Sequence, residues 1–158
     1  MFLVDTSVWL DFLRRRKTQE ASWLRTILDH DIPFGVTVDI YREVLQGADS
    51  ERSFERLSRF FRTQNFYAPE DPEHGAARAA RLFCLARRAG LEIARDSACQ
   101  IAQVAVEREL LLLQADRSFE LLQTVETRLK LYRGSLSSSA LPSRIQEPGG
   151  RAYDPHGS

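Results

Sequence analysis

The sequence predicts an α/β domain in which a central, mostly parallel β-sheet is flanked by helices. Short apolar runs alternate with longer segments whose apolar residues recur at helical spacing, which is the pattern of strands joined by crossover helices. The four leucines at 110–113 form a run that is apolar on every face, as expected of a central parallel strand. Hydrophobic residues make up 43% and charged residues 28% of the 158 residues, which is typical of a globular domain.

The first half of the chain begins with an apolar run from Phe2 to Val4 that ends at Asp5. This run predicts a strand, and Thr6 and Ser7 are expected to cap the helix that follows it. The next predicted elements are a helix over 18–30, a strand over 32–36, a helix from Thr37 to Gly47, a helix over 50–62 and a short strand over 65–68.

The second half predicts a helix over 72–89 that ends at Gly90, and a brief extended piece over 91–93. Ser97 and Gln100 fit a capping box that opens a helix running to Glu109. The leucine strand follows and ends at Asp116.

One domain is expected over residues 1–133, because the chain is long enough for one sizeable core and short for two. After Arg133 the composition shifts to Ser, Pro and Gly, so 134–158 is expected to be a flexible tail or a cloning remnant.

Composition also limits the class of protein. No run approaches the roughly 20 apolar residues that span a bilayer. An acid stands at position 5, where a signal peptide carries basic residues. We therefore expect a cytoplasmic protein that does not associate with a membrane. Cys84 and Cys99 lack metal-type spacing and are expected to be buried small apolar groups. Lys plus Arg and Asp plus Glu number 22 each, so overall charge does not favour binding to a polyanion.

Three acidic residues are candidates for chemistry: Asp5, Glu43 and Asp116. Asp5 and Asp116 each follow a predicted strand, and in a parallel sheet ligands bind at the carboxyl ends of the strands. Mg²⁺ prefers such oxygen ligands. Each residue also has a simpler interpretation, since Asp5 can cap a helix, Glu43 can be a solvated neighbour of Arg42, and Asp116 can begin a turn.

Three segments, LVDTSVW at the start, REVLQGA on the third predicted helix and LLLLQADRSF after the leucine strand, resemble in order and spacing the PIN-domain family, particularly VapC-type toxins. The resemblance covers about residues 1–132, including RLKLY, which is typical of a last short strand.

The resemblance implies a PIN-like three-layer fold and a Mg²⁺-dependent endoribonuclease toxin of a type II toxin–antitoxin pair, with Mn²⁺ as an alternative ion. Asp5, Glu43 and Asp116 would be the metal ligands, and Thr6 or Ser7 would hold a water or a phosphate near the metal. The implied partners are an RNA substrate, a second copy of the chain in a homodimer, and an antitoxin peptide that occludes the acidic pocket, often with an arginine.

The match fails at one position. The family has an Asp in a pattern like D-C-x-I-A, and here the residues are Ala98, Cys99, Gln100, Ile101 and Ala102. Asp96 lies two residues earlier and is better explained as an anion at a helix start. A second acid common in the family is replaced by Ser118, which can still hydrogen-bond a metal-bound water.

Loss of a carboxylate predicts an impaired or inactive nuclease, because metal affinity depends on the charge of the ligands. The alternative is a non-catalytic PIN-like module that binds an antitoxin or RNA. The histidines at 30, 74 and 156 are expected at the surface, and no glycine-rich phosphate loop is present in the sequence.

Overall fold

The computed structural model describes residues 1–134, so the predicted tail lies, from residue 135 on, outside the described residues. The five strands of this part of the chain are β1 (Phe2–Val4), β2 (Phe34–Val36), β3 (Asn65–Phe66), β4 (Leu111–Leu113) and β5 (Lys130–Leu131). The seven helices are α1 (Thr6–Leu13), α2 (Gln19–Asp29), α3 (Val38–Gln46), α4 (Glu51–Phe61), α5 (Pro72–Arg88), α6 (Asp96–Glu107) and α7 (Arg117–Val125).

All five strands are parallel, in the order β3-β2-β1-β4-β5. The chain moves outward from the central β1 to β3, then crosses back to the other side of β1 to form β4 and β5. The order of strands therefore reverses between β1 and β4, where Val4 is in register with Leu113. In open parallel sheets a crevice forms at the carboxyl ends of the strands at such a reversal.

The helices form two groups. Helices α1, α2, α3 and α4 pack on one another, and so do α5, α6 and α7. Because crossovers between parallel strands are right-handed, helices that precede the reversal and helices that follow it cover opposite faces of the sheet. The predicted three-layer α/β fold is confirmed.

The start of α1 is fixed by an aromatic cluster around Trp9, whose side chain is 1% exposed. Four phenylalanine rings lie 4.8 to 6.4 Å from its ring, centroid to centroid: Phe12, Phe34, Phe60 and Phe61. Such edge-on aromatic contacts add to the stabilisation from apolar burial. They hold α1 against β2 and α4, and so fix the residues at its N-terminus.

The helix caps differ from two predictions. Asp5 caps α1, because its carboxylate accepts the backbone N–H of Ser7. The simpler interpretation of Asp5 as a cap is therefore confirmed, and the prediction of Thr6 or Ser7 as the cap was wrong. The capping box of Ser97 and Gln100 was also wrong, because α6 starts earlier and its N-cap position holds Arg95, which makes no side-chain capping bond. Thr37 caps α3 as predicted.

One smaller prediction also differs from the structure, since α6 ends at Glu107 rather than at Glu109. Residues 91–93, predicted as a brief extended piece, belong to no strand of the sheet. Cys99 is buried as expected, and burial together with the charge of Asp96 raises the pKa of its thiol to about 11, whereas Cys84 is only half-buried. Over residues 1–134, no helix is both long and apolar enough to cross a bilayer.

Candidate acidic site at the carboxyl edge of the sheet

The candidate site lies where the order of strands reverses. Asp5 directly follows β1, and its backbone N–H donates to the carbonyl of Leu113 at the end of β4 across 2.9 Å. Asp116 lies three residues beyond β4, and Glu43 is on α3, which follows β2. Because β2, β1 and β4 are adjacent, the three acidic side chains meet at one edge of the sheet.

Asp5 is fully buried, and Ser7 satisfies much of its hydrogen-bonding capacity. Asp5 Oδ2 accepts the Ser7 backbone N–H at 2.9 Å and the Ser7 hydroxyl at 2.6 Å. Ser7 Oγ in turn accepts the N–H of Ala115 at 3.0 Å. Ser7 therefore links the end of β1 to the loop that carries Asp116.

The other two carboxylates are also oriented by hydroxyl-bearing residues. The Thr6 hydroxyl donates to Glu43 Oε2 at 2.6 Å. Asp116 Oδ1 accepts the backbone N–H of Ser118 at 2.8 Å and so caps α7. Ser118 Oγ accepts the N–H of Ala94 at 3.4 Å, which brings the segment before α6 close to the site.

The centre of the site is occupied by the guanidinium group of Arg95, which binds all three acids. Its Nε donates to Asp116 Oδ2 at 2.9 Å, its Nη1 donates to Glu43 Oε2 at 2.7 Å, and its Nη2 lies 3.1 Å from both carboxylate oxygens of Asp5. Each nitrogen thus contacts a different carboxylate. We call these four residues the Arg95 cluster.

The ion pairs hold Arg95 at a position in the chain where an arginine is locally unfavourable. It stands at the N-cap of α6, where the helix dipole disfavours a cation and where a Ser, Thr, Asp or Asn would accept a backbone N–H. The Arg95 Cζ also lies 5.9 Å from the ring centre of Phe119, close enough for a cation–π contact. Its stability at this position comes from the carboxylates and the ring.

Burial and the guanidinium act in opposite directions on the charges of the cluster. Burial raises the pKa of Asp5 above its usual value, while Arg95 and Ser7 limit the rise by binding the ionised form. Partial burial also acts to raise the pKa of Asp116, but hydrogen bonds from Ser118 and the charge of Arg95 outweigh it and lower that pKa. Burial acts to lower the pKa of Arg95, and Asp5, Glu43 and Asp116 outweigh this effect and raise it.

The arrangement does not fit the divalent metal that the resemblance implies. Mg²⁺ needs oxygen ligands at about 2.0 to 2.1 Å in octahedral geometry, and the point that the three carboxylates share is taken by the guanidinium. Within residues 1–134, no group of three or more His, Cys, Asp or Glu side chains is placed to hold a metal ion. Each of the three acids instead forms an ion pair with Arg95.

Ala98 supplies no oxygen to the site. It is fully buried in the core, in the first turn of α6, three residues after the N-cap residue Arg95. Asp96 is the first residue of α6, as the sequence indicated, and it takes no part in the ion pairs of the Arg95 cluster.

The structure therefore brings together Asp5, Glu43 and Asp116, with Thr6, Ser7 and Ser118 beside them, while their roles as metal ligands remain predictions. Arg95 was not predicted as a site residue, although the sequence carries one signal for it. An arginine at the start of a predicted helix is unfavourable for the helix dipole, and such a local conflict often marks a functional position. His30 and His74 are exposed, as predicted, and His156 lies outside the described residues.

A comparison with protein-family models finds no match for this chain. Solved structures do match over most of its length. FitAcB from Neisseria gonorrhoeae is 20% identical, with a TM-score of 0.59 over 84% of this chain and 97% of that chain. VapBC2 from Rickettsia felis, bound to a DNA fragment from their promoter, is 12% identical, with a TM-score of 0.62 over 85% and 98%.

VapBC-1 from nontypeable Haemophilus influenzae is 17% identical, with a TM-score of 0.61 over 83% of this chain and 96% of that chain. At these identities the likeness concerns the fold. The chain has an α/β, PIN-like three-layer fold similar to that of a chain in each of these FitAB and VapBC structures.

Proposed function

We propose that this chain is a toxin-type PIN protein that pairs with an antitoxin protein and does not cleave RNA while Arg95 occupies its acidic pocket. The pairing is supported by the shared fold, because FitAB and VapBC are toxin–antitoxin complexes. The lack of cleavage is supported by the Arg95 cluster, the observation on which the proposal depends most.

Arg95 changes what the acidic pocket can do. Hydrolysis of a phosphodiester needs a nucleophilic water and positive charge that is free to neutralise the phosphate. In the pocket the positive charge of Arg95 is already bound to three carboxylates at 2.7 to 3.1 Å. The same carboxylates also accept hydrogen bonds from Thr6, Ser7 and Ser118, and together with Arg95 these donors hold them in their ionised, paired form rather than as free general bases.

A protein partner is also supported by exposed apolar side chains on α3 and β3. Val38 is 64% exposed at the start of α3, the helix that carries Glu43, and Phe66 is 42% exposed on the edge strand β3. The rings of Phe66 and Tyr41 lie 5.4 Å apart, so strand and helix form one surface. Exposed apolar groups that adjoin one another often mark a protein interface.

A second candidate is the Mg²⁺- or Mn²⁺-dependent endoribonuclease that the resemblance implies. It is favoured by the convergence of Asp5, Glu43 and Asp116 at the reversal of strand order. It requires Arg95 to leave the pocket, and Ala98 leaves the site without a fourth carboxylate. We also propose, from the same resemblance, that the chain forms a homodimer.

The test is an RNA cleavage assay with Mg²⁺ or Mn²⁺. We expect the chain and its Asp5→Ala variant to show the same background rate, and Ala98→Asp combined with Arg95→Met to cleave faster than either. Cleavage by the unaltered chain that Asp5→Ala abolishes would establish the second candidate and refute the first.

Partner binding is tested separately with a candidate antitoxin protein that is co-expressed with this chain. Val38→Asp and Phe66→Asp should each weaken its binding by roughly tenfold or more, because they place a charge in the apolar surface. Leu85→Asp is the matched control, since Leu85 is 41% exposed but lies on α5, in the other helical layer. Equal loss of binding in all three variants would contradict this surface.

A further inference from the structure

We propose that Arg95 has replaced a metal ion as the counter-charge of the acidic pocket, so that this chain folds and keeps its pocket assembled without a divalent cation. The inference extends the proposed function at the same site. Its test needs neither RNA nor a partner protein, so a failure of the proposed function and a failure of this inference give different results.

The pocket requires a cation from some source. Asp5 is fully buried, and the side chains of Glu43 and Asp116 are only 17% and 19% exposed. Carboxylates that share a poorly solvated site repel one another and lose hydration, so their ionised forms are stable only beside positive charge. A fold that places three of them together must neutralise part of that charge.

Arg95 is suited to this task by its chemistry. A guanidinium is planar, remains charged at any ordinary pH and presents five N–H donors in fixed directions. Here Nε, Nη1 and Nη2 point to Asp116, Glu43 and Asp5, which come from three segments of the chain. One side chain thus joins the ends of β1 and β4 to α3, as a metal ion shared by the three acids would.

No other cation of the described residues takes this position. Arg42 is the next nearest basic group in the ion pairs of these acids, at 4.0 Å from Glu43 Oε1, and its own side chain is 57% exposed and paired with Asp39 at 3.2 Å. It lies at the rim of the pocket, where water screens its charge.

The uncharged side chain of Ala98, in the first turn of α6, is consistent with this replacement. A carboxylate at position 98 would add a fourth negative charge beside the cluster, but Ala98 adds none and is buried among apolar groups. The start of α6 therefore has a fixed positive charge at its N-cap, position 95, and no negative charge at position 98. Both features reduce the need for an external cation.

The experiment is thermal denaturation in EDTA and in millimolar Mn²⁺ or Mg²⁺. We expect the melting temperature of the unaltered chain to be the same in all three. Arg95→Met should melt roughly 6 to 12 °C lower in EDTA, because three carboxylates lose their counter-charge, and should recover part of that loss in Mn²⁺. Mn²⁺ binding by Arg95→Met, measured by calorimetry, is expected together with this recovery.

Arg128→Met is the matched control, since Arg128 is 72% exposed and, within residues 1–134, its ion pair is with Glu126 at 2.8 Å. It should change the melting temperature little and show no response to Mn²⁺. Arg95→Lys keeps the charge but loses the planar guanidinium, so its melting temperature should lie between those of Arg95→Met and the unaltered chain. Its response to Mn²⁺ should be smaller than that of Arg95→Met.

Two results would overturn the inference. One is stabilisation of the unaltered chain by Mn²⁺ to the same extent as Arg95→Met. The other is an Arg95→Met variant that is as stable as the parent in EDTA and does not bind Mn²⁺. If Arg95→Met fails to fold even with Mn²⁺, then Arg95→Lys and the unaltered chain decide the question, because a Mn²⁺ response in the unaltered chain contradicts the inference without any variant.

Discussion

Thr6 and Arg95 donate to the same oxygen, Glu43 Oε2, at 2.6 Å and 2.7 Å. The first residue of α1 therefore fixes the carboxylate on α3 that receives the guanidinium. Thr6→Val keeps the shape of the side chain and removes the donor, so it should lower the free energy of unfolding by about 1.5 to 3 kcal/mol, the range for hydrogen bonds to charged groups. Urea denaturation measures this difference.

The control for Thr6 is Thr124→Val, because the Thr124 hydroxyl donates at 2.7 Å to a backbone carbonyl on the exposed surface of α7. It should change the free energy of unfolding by less than about 0.5 kcal/mol. Equal effects of the two substitutions would show that the hydrogen bond from Thr6 to Glu43 stabilises the fold no more than an exposed one does.

Removal of the Asp5 carboxylate should be more severe, because this residue both caps α1 and pairs with Arg95. Asp5→Ala should lower the free energy of unfolding by about 3 to 5 kcal/mol, as expected when one partner of a buried ion pair is removed. Asp5→Asn should lower it less, since an amide oxygen can still accept the Ser7 N–H. An alanine variant as stable as the asparagine variant would contradict this account of the cap.

Gly35 tests the close approach of β2 and β3. A Cβ atom at this position would lie 2.7 Å from the carbonyl oxygen of Asn65 and would also meet the ring of Tyr67. Because backbone cannot move aside cheaply, Gly35→Ala should lower the free energy of unfolding by about 1 to 3 kcal/mol. Gly134→Ala, whose nearest contact would be 3.5 Å away, should have almost no effect.

The pairing of Glu126 with Arg128 predicts a dependence of stability on pH. Hydrogen bonds and charge from Arg128 lower the pKa of Glu126 below its ordinary value of 4.5. A carboxyl group whose pKa is lower in the folded state stabilises the fold above its unfolded pKa, and this contribution disappears as the pH falls through the folded pKa. The stability difference between the parent and Glu126→Gln should therefore be constant from about pH 7 to pH 5 and shrink below pH 4.5.

Urea denaturation at several pH values checks this prediction. Glu120→Gln, on the exposed surface of α7, provides the comparison, because Glu120 makes none of the ion pairs described for this helix. A difference between the parent and Glu126→Gln that grows as the pH falls would contradict the direction of the shift.

Much of the fold could be predicted from the sequence, because the apolar runs and most of the capping residues agree with the strands and helices of the structure. The leucine run at 110–113 contains the central strand β4, and Thr37 and Gly47 mark the two ends of α3. The failures lie near the site. Arginine is an unfavourable N-cap residue, so the capping preferences predicted a start of α6 that is too late in the sequence.

The candidate site was predicted in part. The positions of Asp5 and Asp116 follow from the rule that ligands bind at the carboxyl ends of strands where their order reverses. Glu43 was found through the family resemblance, since a single acid on a helix has no distinctive pattern. The ion pairs of Arg95 could not be predicted, because they join residues that are 21, 52 and 90 positions apart and depend on tertiary packing.

The most direct measurement is anomalous X-ray scattering from crystals of the unaltered chain grown with millimolar Mn²⁺. The account predicts electron density for the Arg95 guanidinium among Asp5, Glu43 and Asp116, and no anomalous peak between these acids. An anomalous peak at that point, with the Arg95 side chain turned toward solvent, would contradict it.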